Sequence, residues 1–478
     1  MIRNSNLRRA ALGALLLASA TGCDVLTQDP PFALTTTDAF GSAGAIDKVA
    51  VGMYDQLQNA EFLGGRALIY SDVRSDDTNI APFFGLTSTF NMQANDGTAS
   101  NAWTAGYRTL YGANFFLQEL DKKPGVTTPA LEAQYRSEAK FIRALVYFHL
   151  VNIFAQPYNF TADASHLGVP LQLTAPDVSN AFDPSQNLPR STVKQVYDQM
   201  EKDLNEAIVD LPETYPATAT NFEKTARATK DAARTLLSRI QLYKGQYASA
   251  AATANTVIIG GRHTLNASPA TPFTAATFRT SESIFSIAMN TADNPNTNNA
   301  LGQHYGRTRR GDIIVTPYAR IDTTQFRSKD RRRTLLLDPV ATATNVFTLK
   351  YNAGVADYVP IARYSEVLLN RAEGLAQTDA AISAEAITLL NQVRRRSLPN
   401  IPAYPNFTAA SFATKQALID AILFERRLEL AFEGHRYYDL LRYKRNSSRI
   451  TYGDQKAIFP IPNVDLLQNP NLVQNPGY

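Results

Sequence analysis

Along most of the chain, apolar residues recur every three or four positions, the spacing of helices that each bury one face. In "AGAIDKVAVGMYDQLQ" the stripe is Ile46, Val49, Met53 and Leu57; in "AWTAGYRTLYGANFFLQEL" it is Trp103, Tyr107, Leu110, Tyr111 and Phe115. "PALEAQYRSEAKFIRALVYFHLVNIFA" predicts a long helix that stops before Pro157, because proline lacks the backbone donor and clashes with the preceding turn. Ser191 or Thr192 can cap the next helix, in "STVKQVYDQMEKDLNEAIVDLP", and Pro212 ends it. Later helices are predicted in "IARYSEVLLNRAEGLAQ", "SAEAITLLNQVRRRS" and "TKQALIDAILFERRLELAFEG".

The stretch "TKDAARTLLSRIQLYKGQYASAAATANTVI" reads as two helices joined at Gly245-Gln246-Tyr247, with alanines on the second where helices approach closely. That pairing resembles a tetratricopeptide unit, although the full consensus of the repeat is not there. Two segments break the helical rhythm. Residues 62–100 hold Gly64, Gly65, Asp76, Asp77, Asn79, Phe83, Phe84, Phe90 and Asn91 with little periodicity, and predict loops with short elements. Residues 261–360 are rich in Thr, Asn, Pro and Arg, with strand-like pieces "SIFSIAM", "DIIVTPY" and "VFTLKY". A structureless loop of that length is uncommon, so an irregular subdomain is expected. The tail "AIFPIPNVDLLQNPNLVQNPGY" should be extended. The expected fold is therefore mainly α, with helix pairs as a scaffold packed with an irregular, loop-rich portion in one body over 41–478.

The first residues bear on where this body works. "MIRNSNLRR" is cationic, "AALGALLLASA" is apolar, and small residues precede Cys23, which predicts a secretory signal peptide over 1–22. Cys23 is the single cysteine of the chain, so no intramolecular disulfide can form. Its position resembles the lipobox of bacterial lipoproteins, in which the thiol carries a diacylglycerol and the new amino group is acylated, enough buried chain for stable anchoring. Residues 23–40, with paired prolines and many threonines, then form a lipidated tether. The formal charge of +4 drops to about +1 once Arg3, Arg8 and Arg9 of the leader are removed, which gives no drive toward nucleic acid.

The phosphate-cradling GxxxxGK[ST] loop, HExxH and the GxSxG elbow are all missing from the sequence. His149, His166, His263, His304 and His435 are too scattered for a short-range metal signature, and no cofactor is implied. A glycosidase needs two carboxylates at no fixed sequence spacing, so that alternative stays open. The densest charge lies in "FERRLELAFEGHRYYDLLRY", residues 424–443. On a helix, Glu425, Glu429 and Glu433 share one face, and Arg426, Arg427 and Arg436 are near enough to neutralise them. Gly434 suits a left-handed helix stop before a second helical piece. An ion-paired corner is the reading favoured over a metal or acid–base site, because arginines hold carboxylates ionised. The run "SKDRRRT", with Lys329 and Arg331 to Arg333, predicts a solvated or ion-paired loop.

Several of these stretches, in order, resemble the SusD/RagB nutrient-binding lipoproteins. "FERRLELAFEGHRYYDLLRY" is similar to that family's ERR-x-EL-x-x-EG-x-R-x-x-D-L-x-R signature and "FPIPNVDLLQNPNLVQNPGY" to its ending. "SEAKFIRALVYFHLV", "VYDQMEKDLNEAIVDLP", "PIARYSEVLLNRAEGLAQ" and "LNQVRRRS" resemble its helix motifs. The resemblance implies a non-catalytic, outer-membrane surface protein that captures a glycan or other oligomeric nutrient and forms the lid of a SusC-like TonB-dependent β-barrel. It makes the recurrent motifs scaffold and leaves ligand contacts to the irregular segments. Sugar sites need flat aromatic faces with amide and carboxylate partners. The candidates are Asp76, Asp77, Asn79, Phe83, Phe84 and Asn91 in the first segment, and Asn290, Asn294, Tyr305 and Tyr318 in the second. Trp103, the sole tryptophan, lies on a helix stripe and is expected in the core.

Overall fold

Most of the long helices start where a hydroxyl or carboxylate stands just ahead of an apolar run, because that oxygen accepts from a backbone N–H left free in the first turn. In the computed structural model, which describes residues 35–177, 179–273, 279–338 and 344–478, Ser42 caps α1 (Ala43–Asp55). The seven-residue α2 (Arg66–Asp72) follows, then α3 (Gly97–Asp121), capped by Asp96, and α4 (Pro129–Phe154), capped by Thr128. Thr192, not Ser191, caps α5 (Val193–Asp210), with Gln195 completing a reciprocal capping box. Helices α6 (Lys230–Tyr243) and α7 (Tyr247–Ile259) meet at Gly245, whose φ of +73° is the left-handed turn glycine adopts freely. The C-terminal helices are α8 (Tyr364–Thr378), α9 (Ala384–Ser397), α10 (Lys415–Glu429) and α11 (Arg436–Arg442). The signal peptide, Cys23 and most of the tether lie outside the described residues.

The chain is mainly helical, and its interior is one large core plus a smaller one among α8, α9 and α10, built on Leu368, Leu390, Val393, Leu418 and Ile422. Helices α4 and α5, α7 and α8, and α6 and α7 pack on one another. The face of α3 is turned from the predicted stripe: Trp103 and Leu110 are buried, but Tyr111 is exposed and Tyr107 and Phe115 are only half-buried. The reason is close packing on α4. A Cβ on Gly106 would lie 2.6 Å from Leu150 Cδ2, so small residues take the contact and the large rings move to its flank.

The irregular portion carries two small antiparallel pairs. Strand β1 (Ser283–Ile287) pairs with β4 (Val359–Arg363), and β2 (Leu337–Asp338) pairs with β3 (Phe347–Thr348). "DIIVTPY" forms no strand: Ile313 and Val315 are buried, and the backbone bonds of Ile314 and Val315 go to Asn79 and Val346. The tail is not wholly extended either, since Asn463–Gln468 makes a short helix.

Candidate ligand-binding site and its charged support

The corner at 424–443 is built by long-range pairing. Helix α10 ends at Glu429; Phe432 and Gly434 then take φ of +64° and +78°, so Glu433 lies off the helix face that Glu425 and Glu429 share. The predicted neighbours Arg426, Arg427 and Arg436 do not neutralise these glutamates. Arg332, 93 and 97 residues away, binds Glu425 at 2.7 Å and Glu429 at 3.3 Å. Arg363 reaches Glu429 at 2.5 Å and Glu433 at 2.7 Å, Arg396 pairs with Glu429, and Lys350 holds Glu433 at 2.6 Å. Arg426 and Arg442 take Asp439 at 3.3 and 2.7 Å. The run "SKDRRRT" takes the ion-paired of its two expected forms at its centre: Arg332 is buried on Asp330, Glu425 and Glu429, and Arg333 donates to the carbonyls of Ala319, Ile321 and Phe326.

Burial alone would raise these carboxyl pKa values, yet Arg396, Arg363 and Arg332 hold Glu429 well below its ordinary value. Arg363 and Lys350 lower Glu433 in the same way. Glu425, ion-paired with Arg332, is still raised by its burial. Among the described residues, no three His, Cys, Asp or Glu side chains gather in a way that could hold a metal ion.

The spare arginines of the corner grip the start of the first irregular segment. Arg436 donates to both oxygens of Asp76 at 2.7 and 2.8 Å, and Arg427 pairs with Asp77 at 2.6 Å. The Gly434 N–H donates to Asp72 Oδ1 at 3.2 Å, while Tyr305 donates its hydroxyl to Asp72 Oδ2 at 2.6 Å. Burial pushes the Asp72 carboxyl up to about 8, against the lowering effect of those two hydrogen bonds. Arg449 adds bonds to the carbonyls of Val73 and Ser75. Of the residues expected to face a ligand, Asp76 and Asp77 are in the structure the partners of arginines. Tyr305 and Tyr318 are also buried, the latter donating to the Leu428 carbonyl at 2.9 Å, and Phe84 is 5% exposed.

Beyond this clamp the two irregular segments do meet, and there the apolar surface comes out. The Asn79 N–H donates to the Ile314 carbonyl at 2.9 Å, and the Tyr318 N–H to that of Asp77 at 3.3 Å. Ile80, Phe83 and Leu86 are 54%, 43% and 48% exposed. The Arg310 guanidinium lies 4.4 Å from the Phe83 ring centre and the His304 ring 5.2 Å. Arg310 is itself fixed, donating to Asn298 Oδ1 at 2.7 Å and Asp312 Oδ2 at 2.8 Å. His304 bridges Asp312 and the Asn298 carbonyl at 2.8 Å each, and its burial keeps its pKa low. Asn91 is exposed near this patch in sequence, its N–H on the Leu86 carbonyl. Asn290 belongs elsewhere, on a cleft of about 320 Å³ with Asp55, Asp293 and Tyr358, and half-buried Asn294 donates to its carbonyl at 3.1 Å. Ile80, Leu86, Asn298 and Arg310 were not singled out from sequence; an apolar residue on each side of a Pro-Phe-Phe turn was the available signal for the first two. The patch offers an aromatic ring, a fixed guanidinium and amide groups, an arrangement for holding a ligand.

The fold and the patch together define a class: a helical scaffold that displays an irregular binding face. Residues 24–242 match the SusD-like family model described as starch-binding and associating with the outer membrane, and residues 347–457 match the SusD family model. The chain belongs to the SusD/RagB family. SusD-like protein P2 of Formosa agariphila is 25% identical over 97% of this chain and 98% of its own length. A crystal structure of a SusD superfamily protein from Bacteroides fragilis superposes with a TM-score of 0.80 at 29% identity, covering 91% of this chain and all of that one. A SusD-like carbohydrate binding protein from Bacteroides vulgatus has the same fold, with a TM-score of 0.72 at 20% identity over 90% of this chain and 97% of its own. Among the described residues, no helix is long and apolar enough to cross a membrane.

Proposed function

We propose that the protein is a lipid-anchored capture protein of the outer-membrane surface, which binds a glycan and passes it to a SusC-like TonB-dependent β-barrel as its lid, without catalysing a reaction. The observation that carries this reading is the Phe83 patch, where two separate irregular segments converge to leave one aromatic ring 43% exposed beside Arg310 and Asn298. A sugar ring stacks its apolar face on such a side chain, while the flanking guanidinium and amide bond its hydroxyls. The relatives described as starch-binding and carbohydrate binding support the ligand class. Lipidation of Cys23 supplies the anchor, and the tether expected over 23–40 reaches the body by its end, where Thr36–Ala39 is helical and Phe40 is buried. The alternative, a secreted glycosidase using loop carboxylates, loses its most prominent adjacent pair because Asp76 and Asp77 are held by Arg436 and Arg427.

The test is incubation with a panel of oligosaccharides, reading binding and products together. Saturable binding with no new reducing ends is the expected result; hydrolysis of any oligomer would defeat it. Mass spectrometry of the mature N-terminus should find an acylated Cys23.

A further inference from the structure

A different cleft, of about 410 Å³, opens between α10, the end of α9 and the segment 324–332, with Phe407 and Phe424 on its walls. Six arginines line it, and four are already neutralised. Arg332 holds Asp330 and Glu425 at 2.8 and 2.7 Å, Arg445 pairs with Asp420, and Arg427 and Arg436 grip Asp77 and Asp76. These pairs also occupy the three carboxylates on the cleft wall, Asp330, Glu425 and Asp420.

Arg327 and Arg394 remain, and among the described residues neither has an ion pair. Arg394 is buried; it donates one hydrogen bond, to the Pro405 carbonyl at 2.9 Å, and lies 4.2 Å from the Phe407 ring centre. Half-buried Arg327 lies 5.8 Å from the Tyr404 ring centre. Arginine keeps its charge even when buried, so this arrangement places cations together at the wall of an open cleft with donors unspent. Burial is the main influence lowering the Arg394 pKa, and Arg395, Arg327 and Arg332 push the same way against Glu425.

We propose that this cleft binds an anionic group on a sugar ring, a carboxylate or a sulfate ester, with Arg327 and Arg394 as its cationic contacts and Phe407 and Phe424 as apolar walls. The planar guanidinium fork matches either oxyanion. The proposal rests on the glycan-capture reading above and narrows it to an anionic glycan engaged at a second point.

The test is calorimetric titration of the mature protein with a galacturonic acid tetramer, a sulfated carrageenan tetrasaccharide and neutral cellotetraose, repeated with Arg327→Gln and Arg394→Gln. The expected result is that at least one anionic oligomer binds about tenfold or more tighter than the neutral one, with a preference that shrinks in salt. Which oligomer it is separates carboxylate from sulfate ester. Arg327→Gln should abolish most of that preference at an unchanged melting temperature; it decides the matter even if Arg394→Gln loosens the 399–407 segment. Equal binding of charged and neutral oligomers, or a preference that survives in Arg327→Gln, would overturn the anion site and leave glycan capture standing. Absence of binding by all three would overturn both.

Discussion

The corner at 424–443 and the loop at 76–91 hold similar ingredients, acids and aromatics with arginines on or against them, and the fold treats them in opposite ways. In the corner every acid of the signature is buried and paired, and Glu429 alone meets three arginines. In the loop, Asp76 and Asp77 are clamped while Ile80, Phe83 and Leu86, only a few residues on, are left uncovered. The contrast teaches where to look for a ligand in such a chain. Dense charge marks what the interior must neutralise, whereas an aromatic ring left in solvent beside fixed polar groups marks a face with a partner to meet.

Glu429→Gln should have the largest effect, because it leaves Arg363, Arg396 and Arg332 short of a counter-charge they cannot shed. Urea denaturation should show a loss of about 3–5 kcal/mol, with ligand affinity unchanged at temperatures where the variant is folded. Lost affinity at unchanged stability would instead put Glu429 in a binding site and dissolve the contrast.

The second effect is a pH dependence. The folded state keeps the Asp72 proton up to about pH 8, whereas the unfolded chain releases it near 3.8. Between those values the native state binds more protons, so this group makes stability fall as pH rises, by up to roughly 1.4 kcal/mol per pH unit. Asp72→Asn can still accept from the Gly434 N–H, and its amide can donate to Tyr305. Denaturation at pH 5 and pH 8.5 should find the variant gaining on wild type between the two, its relative stability clearly greater at the higher pH. A larger deficit of the variant at pH 8.5 would reverse the sign.

Arg436→Gln links the two regions with a smaller effect. Its pair with Asp76 is partly exposed, so removing it should cost about 1 kcal/mol, while hydrogen exchange quickens in 76–91 and sugar affinity drops a few-fold. Unchanged exchange there would mean that the corner does not hold the loop.

Helices and their limits were legible because caps, prolines and apolar spacing act locally, as Thr192 and Pro212 did, although α10 ends at Glu429, ahead of the stop expected at Gly434. The SusD/RagB resemblance carried the family through the order of its motifs. Pairing across space was not legible: Arg332 and Arg363 come to Glu429 from elements far away in sequence. Nor was facing in the aperiodic segments. Phe83 and Phe84 look alike in sequence and both pack on His304, yet the first is 43% exposed and the second 5%. Tyr305 and Tyr318 resembled sugar platforms because they sit in an irregular region, but that region packs on α2 and α10 and encloses them.

The most direct test is a paired measurement on Phe83→Ala: affinity for the best oligosaccharide of the panel, and melting temperature. A scaffold that leaves this ring free for a ligand predicts an affinity loss of about tenfold or more, 1.4 kcal/mol, with melting unchanged within about 2 °C. Full affinity, or a collapse in melting temperature like that of Glu429→Gln, would contradict it.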